Sequence, residues 1–215
     1  MIKDLIVVGA GNPDIVRIIE DINREKTTFN FLGFTDKNQK LHGELFLGYP
    51  ILGNDNLLED EKYKHAFIVN NIYSTQEARK KTNENLIKYK ERYCNIIHPT
   101  ARVGSINIGE GNIIADGVIV QSCVRIGNYN VIHSSTIISH ETVIGNNNLF
   151  SVNVTIGSRS QIGDYCYFGI SATTLPVLTI EDGCYIGGGS VLCNSIKSNS
   201  KVFGNPARFL PTIKT

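Results

Sequence analysis

The chain has 215 residues with 21 basic against 20 acidic side chains, and 41% of it is hydrophobic. That is room for one large domain or two small ones with a buried core, and the near-balanced charge excludes the basic excess of a nucleic-acid-binding surface. No apolar run reaches transmembrane length, and MIKDLIVVGAGN lacks the plan of a signal peptide, so a cytoplasmic protein without membrane insertion is expected. Five cysteines (Cys94, Cys123, Cys166, Cys184 and Cys193), odd in number and with no C-x-x-C pair, read as reduced thiols.

The first 97 residues hold most of the Lys and Glu in mixed strand and helix patterns. DLIVVGAGN reads as a buried parallel strand running into a glycine turn. PDIVRIIEDINRE follows, with Ile15, Ile18, Ile19 and Ile22 at helical spacing. FNFLGFTDK is a second strand closed by Asp36, and KHAFIVNN a third, after which TQEARKKTNENLIKYKE reads as a helix. Strand, helix, strand order predicts a Rossmann-like α/β unit with its ligand at the strand C-termini. The turn Gly9-Ala10-Gly11 has Asp14 where a third glycine would stand, so the dinucleotide fingerprint is incomplete and a sugar nucleotide is the better candidate. The amides of Gly11 and Asn12 can meet a phosphate at the helix start, and Asp36 can accept from a ribose or a base. The competing reading is a docking or folding domain with an inherited turn.

The grammar changes near His98-Pro99. Charged residues thin out and Gly, Asn, Ser, Ile and Val dominate. Stepping by six from Ile108 to Leu192 visits fifteen positions, of which only Thr174 is not apolar. Four residues after these leads come Val118, Val124, Thr136, Thr142, Val154, Ser160, Cys166, Ala172 and Ser190, mostly small or β-branched and suited to an inward corner. Gly follows the lead at 109, 127, 145, 157, 163, 169 and 187, where a tight backbone turn is expected. Neither helix nor ordinary strand has a period of six; a β-solenoid of stacked coils does.

Written Ile-Gly-x-x-small-x, the hexads resemble the left-handed β-helix of the hexapeptide-repeat acyltransferases over roughly residues 100–205. The resemblance implies a left-handed parallel β-helix domain from 98 to 215, ending in a short tail, with three hexads to each triangular coil. A non-catalytic scaffold β-helix is the alternative from another class. A zinc site of the carbonic-anhydrase-like branch is not expected, because His98, His133 and His140 stand 35 and 7 apart.

Within IISHETVIG, His140 falls on the outward side of its hexad, where a histidine can take a proton, and Glu141 can hold the imidazole in one tautomer and stabilise its cation. SHETVIG is similar to the motif of the bacillosamine and perosamine N-acetyltransferases and the sialic acid O-acetyltransferase-like proteins. The resemblance makes His140 the base and Glu141 the residue that raises its basicity. Some members carry a second histidine nine residues on; here that position is Leu149. Acetyl-CoA as co-substrate is implied in a groove between neighbouring prisms, against Ser158, Ile170 and Gly188, with Pro206 and Arg208 of GNPARF at the adenine and phosphate end. A homotrimer follows from that shared groove. The same resemblance gives the N-terminal unit a nucleotide-linked amino sugar, held by Gly11, Asn12, Asp36, Lys37 and one of Asn70 or Asn71. Where the family commonly has Gly-Gly-His, this chain has Gly11-Asn12-Pro13. N-acetylation of such a sugar for surface polysaccharide or glycan synthesis is the reading, with sugar O-acetylation the alternative.

Overall fold

A computed structural model describes residues 2–72, 75–104 and 107–210; the last five residues of the expected tail lie outside them. The chain divides into two compact units, residues 1–99 with 110–112, and residues 100–109 with 113–215.

The first unit is built on β1 (Lys3–Val8), whose Leu5, Ile6, Val7 and Val8 are all buried, as a strand covered on both faces requires. α1 (Asp14–Glu25) follows, burying Ile15, Val16, Ile18 and Ile19 along one stripe, and leads to β2 (Phe29–Thr35). A hairpin of β3 (Leu45–Phe46) and β4 (Tyr49–Gly53) turns at Leu47-Gly48, both with positive φ. β5 (Phe67–Asn70) and α2 (Gln76–Leu86) complete the unit. Strand order is β3-β4-β2-β1-β5, and β4, β2, β1 and β5 are mutually parallel. Because β2 and β5 lie on opposite sides of β1, the order reverses there. The C-terminal ends of β1 and β5 therefore flank a switch-point crevice.

The second unit is a stack of two-residue parallel strands on three faces. The first face runs from Arg102–Val103 to Val191–Leu192, the second from Asn107–Ile108 to Thr179–Ile180, and the third from Ile113–Ile114 to Lys201–Phe203. Strands pair with the coil before and after, Ile119 with Ile137 and Ile137 with Thr155, for example. Successive short parallel strands in this arrangement fit the left-handed β-helix expected from the hexads. The lead positions form its core: from Ile114 to Leu192 every one is buried, including Thr174, and only Ile108 at the open start is half-buried. Phe150 and Phe168 stack at 4.7 Å with an interplanar angle of 8°, one coil above the other. The small residues four places on, Val118 through Ser190, are fully buried at the inner corners.

The glycines after the leads are explained differently from expectation. None of those at 109, 127, 145, 157, 163, 169 and 187 has positive φ; a Cβ there would lie 2.0–2.6 Å from the next coil. They permit close approach of coils, not left-handed backbone. The left-handed residue stands two places later. From Gly117 to Gly189 every sixth residue has positive φ, and ten in succession, Cys123 to Val177, are not glycine. Glu141 is one of them, at φ 58°.

Candidate active site

Three columns of corner residues distinguish the edges of the solenoid. Between the first and second faces stand Ser122, His140 and Ser158, tied by Glu141 N–H to Ser122 O (3.1 Å) and Arg159 N–H to His140 O (2.9 Å). Between the second and third faces stand Asn128, Asn146, Asp164 and Asp182. Between the third and first stand Ser134, Val152, Ile170 and Gly188.

The corner backbone N–H points away from the ladder and must be satisfied from outside it. On the Asn/Asp edge the next coil does so: Asn146 Oδ1 accepts from Asn128 N–H (2.8 Å), Asp164 Oδ1 from Asn146 N–H (2.6 Å), and Asp182 Oδ1 from Asp164 N–H (2.8 Å). Inside the same edge, Asn130 and Asn148 make a second, buried ladder. At Ser158, Ile170 and Gly188 no such cap exists, and their N–H groups donate to nothing among the described residues. One edge is self-sealed. The other two, which bound the first face, present bare amides at Ser158, Ile170 and Gly188.

His140 sits at the start of the bare stretch. Gln121 Oε1 accepts from its backbone N–H (3.0 Å), and its Nδ1–H donates to Glu141 Oε2 (3.0 Å). Both side chains are about half exposed. With Nδ1 so engaged, Nε2 is the nitrogen left to exchange a proton. A cleft of about 760 Å³ opens beside it on the N-terminal side, walled by Val103, Ile119 and Val120, with Arg102, Gln121 and Ser122 around it.

On the C-terminal side, the uncapped amides follow along the axis. Gly189 N–H donates to Ile170 O (2.8 Å), stacking Gly188 on Ile170. The 204–209 segment packs on that coil, with Val191 N–H donating to Gly204 O and Ala207 N–H to Val191 O, so Pro206 and Arg208 stand beyond Gly188. Arg208 is exposed, and its guanidinium donates to Ala207 O. From His140 to this segment is three to four coils, or about 14–19 Å at the usual strand spacing of about 4.8 Å. Thus His140, Glu141 and Ser158 share one edge, and Ile170, Gly188, Pro206 and Arg208 follow the opposite edge of the same face.

The cysteines here are packing groups. Cys166 and Cys184 continue the inner Asn column; their thiols donate to Glu181 O and Lys197 O, each at 3.2 Å. The hydrogen bond with the facing Cys184 sulfur, and then burial, push the Cys166 thiol up. Cys123 is exposed.

In the N-terminal unit the expected substrate residues other than Lys37 converge on the C-terminal edge of the parallel strands. Asp36 ties two turns, Oδ2 accepting from Ala10 N–H (3.2 Å) and Oδ1 from Asn38 N–H (2.8 Å). Asn71 donates to Gly9 O (3.2 Å) and Asn12 O (3.1 Å). The two asparagines differ. Asn70 is spent on Asn83 Oδ1 and Ile72 N–H, whereas buried Asn71 keeps Oδ1 without a partner among the described residues. Gly11 and Asn12 have N–H groups with no acceptor among the described residues, and the Asn12 side chain accepts from Asp14 N–H (3.1 Å). Pro13, without an N–H, opens α1, and Asp14 puts a carboxylate in its first turn. Both weaken the helix start as an anion seat. Lys37 is exposed and lines a separate hollow of about 280 Å³ with Asn54, Asp55, Lys88 and Tyr89. Sequence reasoning missed that hollow, the Gln121 brace and the arginine of the cleft; none lies within a recognisable motif.

The folded chain falls in the class of hexapeptide-repeat architectures represented by solved sugar acetyltransferases. It is similar to the acetyltransferase domain of PglB from Neisseria gonorrhoeae in complex with acetyl coenzyme A (TM-score 0.84, 22% identity, 98% of this chain and 100% of that one). It is similar to a mutant of perosamine N-acetyltransferase from Caulobacter crescentus in complex with CoA and GDP-perosamine (TM-score 0.84, 21% identity, 98% of each chain). WeeI from Acinetobacter baumannii matches with TM-score 0.83 and 23% identity over 97% of this chain and 100% of that one. At these identities the likeness is one of fold. No family model and no curated protein sequence matches.

Proposed function

We propose that this chain is an acetyl-CoA-dependent N-acetyltransferase acting on a nucleotide-linked amino sugar that feeds surface polysaccharide or glycan synthesis. The observation that carries the reading is the His140–Glu141 pair at 3.0 Å, with its remaining imidazole nitrogen exposed beside a cleft. Solved proteins of this fold bound to acetyl coenzyme A, or to CoA and GDP-perosamine, support it.

Transfer is direct. The sugar amine attacks the thioester carbonyl, the N–C bond forms, and His140 Nε2 takes the proton from nitrogen as the tetrahedral intermediate develops. The C–S bond then breaks, and the proton passes to the departing CoA thiolate. Glu141 holds the imidazole tautomer and stabilises the imidazolium. The free N–H of Ser158, one coil below His140, is the donor for the oxyanion. Ile170 and Gly188 offer amides to the carbonyls of the pantetheine arm, with Pro206 and Arg208 at its nucleotide end. The cysteines take no part, so acetyl-CoA alone leaves no acetyl-enzyme.

The N-terminal unit is read as a Rossmann-like domain of residues 1–97 that holds the nucleotide. Gly11 and Asn12 offer amides to a phosphate, Asp36 and Lys37 flank the nucleoside, and Asn71, with its free Oδ1, serves where Asn70 cannot. Assembly is read as a homotrimer in which prisms share donor grooves. Ile170 at 62% and Val177 at 64% exposure are apolar residues on the two edges of the first face, as an interface between prisms would require. Among the described residues no helix is long and apolar enough to cross a membrane. A thiol-release assay with acetyl-CoA and UDP- or GDP-linked amino sugars tests the activity. A free sialic acid acetylated in preference to every amino sugar overturns it in favour of O-acetylation. A fully active monomer by light scattering overturns the shared groove.

A further inference from the structure

The cleft beside His140 contains one feature the donor groove does not use. Arg102 projects from the first face, two coils before His140: it pairs with Ile119, which pairs with Ile137 in the His140 coil. Its backbone N–H is spent on Val118 O, but its guanidinium is exposed and has no ion pair or hydrogen bond among the described residues. Besides His140, the rest of the described cleft lining is Val103, Gly104, Ile119, Val120 and the neutral Gln121 and Ser122. A guanidinium above an apolar wall, with no carboxylate among the described residues that line the cleft, is built to receive an anion.

Position selects which anion. The donor amides run C-terminally from His140, so the acceptor must approach from the N-terminal side, where the cleft lies. Two strand spacings of about 4.8 Å put Arg102 about 10 Å from the base along the axis. A sugar amine at His140 Nε2 would leave the pyranose ring across Ile119 and its anomeric phosphate at Arg102.

We infer that Arg102 is the anion anchor of the acceptor site, pairing with the sugar-proximal phosphate of the nucleotide-linked amino sugar and so setting which ring nitrogen reaches His140. This rests on the acetyltransferase reading for its sugar, but the phosphate seat stands or falls on its own. Arg102 is a specificity residue, since it contacts substrate remote from the reacting atoms.

Two measurements test it on the whole 215-residue chain. In the first, inorganic pyrophosphate is titrated calorimetrically into wild type, Arg102→Gln and Arg102→Lys. Loss of one charge-assisted phosphate contact predicts affinity weakened about ten- to a hundredfold in Arg102→Gln. Arg102→Lys should fall between, keeping the charge but losing the fork. Equal affinity in wild type and Arg102→Gln overturns the anchor, whatever the enzyme's activity. In the second, kcat/KM is compared for a nucleotide-linked amino sugar and the same amino sugar free of phosphate. The ratio should fall by the same ten- to hundredfold in Arg102→Gln; an unchanged ratio with both rates depressed makes Arg102 a structural residue and overturns the proposal. Absence of turnover in wild type on every amino sugar would defeat the acetyltransferase reading while the pyrophosphate titration still decides the anchor.

Discussion

Replacing Glu141 by glycine separates what the residue does for the fold from what it does for the reaction. Its φ of 58° lies in the left-handed region, which costs a non-glycine residue about 1–2 kcal/mol. Glycine removes that strain but adds about 0.5–1 kcal/mol of unfolded-chain entropy. The side chain is 56% exposed and among the described residues bonds only to His140, so little packing is lost. The net change is about 0–1.5 kcal/mol in favour of the variant, a rise in melting temperature of up to about 6 °C for a chain of this size. Activity should move the other way. Losing a hydrogen bond to a charged partner, at the low end because the pair is exposed, costs about 1.5 kcal/mol, or about tenfold in kcat. Glu141→Gln, still left-handed, should show the smaller rate loss with no gain in stability. The assay is a thermal melt beside thiol release from acetyl-CoA. A Glu141→Gly protein that melts several degrees lower refutes the strain argument, and one that turns over at the wild-type rate refutes the partnership with His140.

Phe168→Ala, removing half of the buried Phe150–Phe168 stack, should cost about 3–5 kcal/mol, read as a lowered denaturant midpoint. The His98 hydrogen bond, reinforced by Arg24, holds the Asp21 carboxyl below its ordinary 3.8, so its stabilisation is full above that pH and lost as pH falls through the depressed value. Asp21→Asn should therefore lower stability at neutral pH and flatten the acid limb of the stability profile below about pH 4. Under native conditions a thiol reagent should label exposed Cys123 first and leave Cys94, whose burial pushes its thiol up to about 12, unreacted until unfolding; mass mapping of labelled peptides reads the order.

Much of the solenoid was legible because its cause is local and repeated. A lead every six residues must be apolar to fill the prism, and a residue four places on must be small to fit its inner corner, so both columns declare themselves. The left-handed corners did not. Their cost of about 1–2 kcal/mol each is tolerated by Tyr129, Arg159 and Val177 alike, because the stacked coils over-determine the backbone, and no glycine marks them. The glycines that were visible marked coil contact instead. His140 and Glu141 stood out as charged residues in an apolar repeat. The difference between Asn70 and Asn71 did not, since it depends on Asn83, thirteen residues past Asn70 in sequence. The β3–β4 hairpin was also silent: two residues of strand around Leu47-Gly48 are too short for a pattern. Arg102 reads in sequence as one more surface cation. Only the stacking of coils sets it in the cleft that holds the base.

The most direct test is mass-spectrometric detection of the acetylated product from acetyl-CoA and a panel of UDP- and GDP-linked amino sugars, with wild type and His140→Ala side by side. Wild type should add one acetyl group to nitrogen of at least one nucleotide-linked sugar. His140→Ala should lose about a hundred- to ten-thousandfold in kcat while its affinity for acetyl-CoA, measured separately by calorimetry, stays close to wild type. A His140→Ala protein that acetylates its best substrate at near wild-type rate, or a wild-type protein that acetylates none of the panel, would contradict the account.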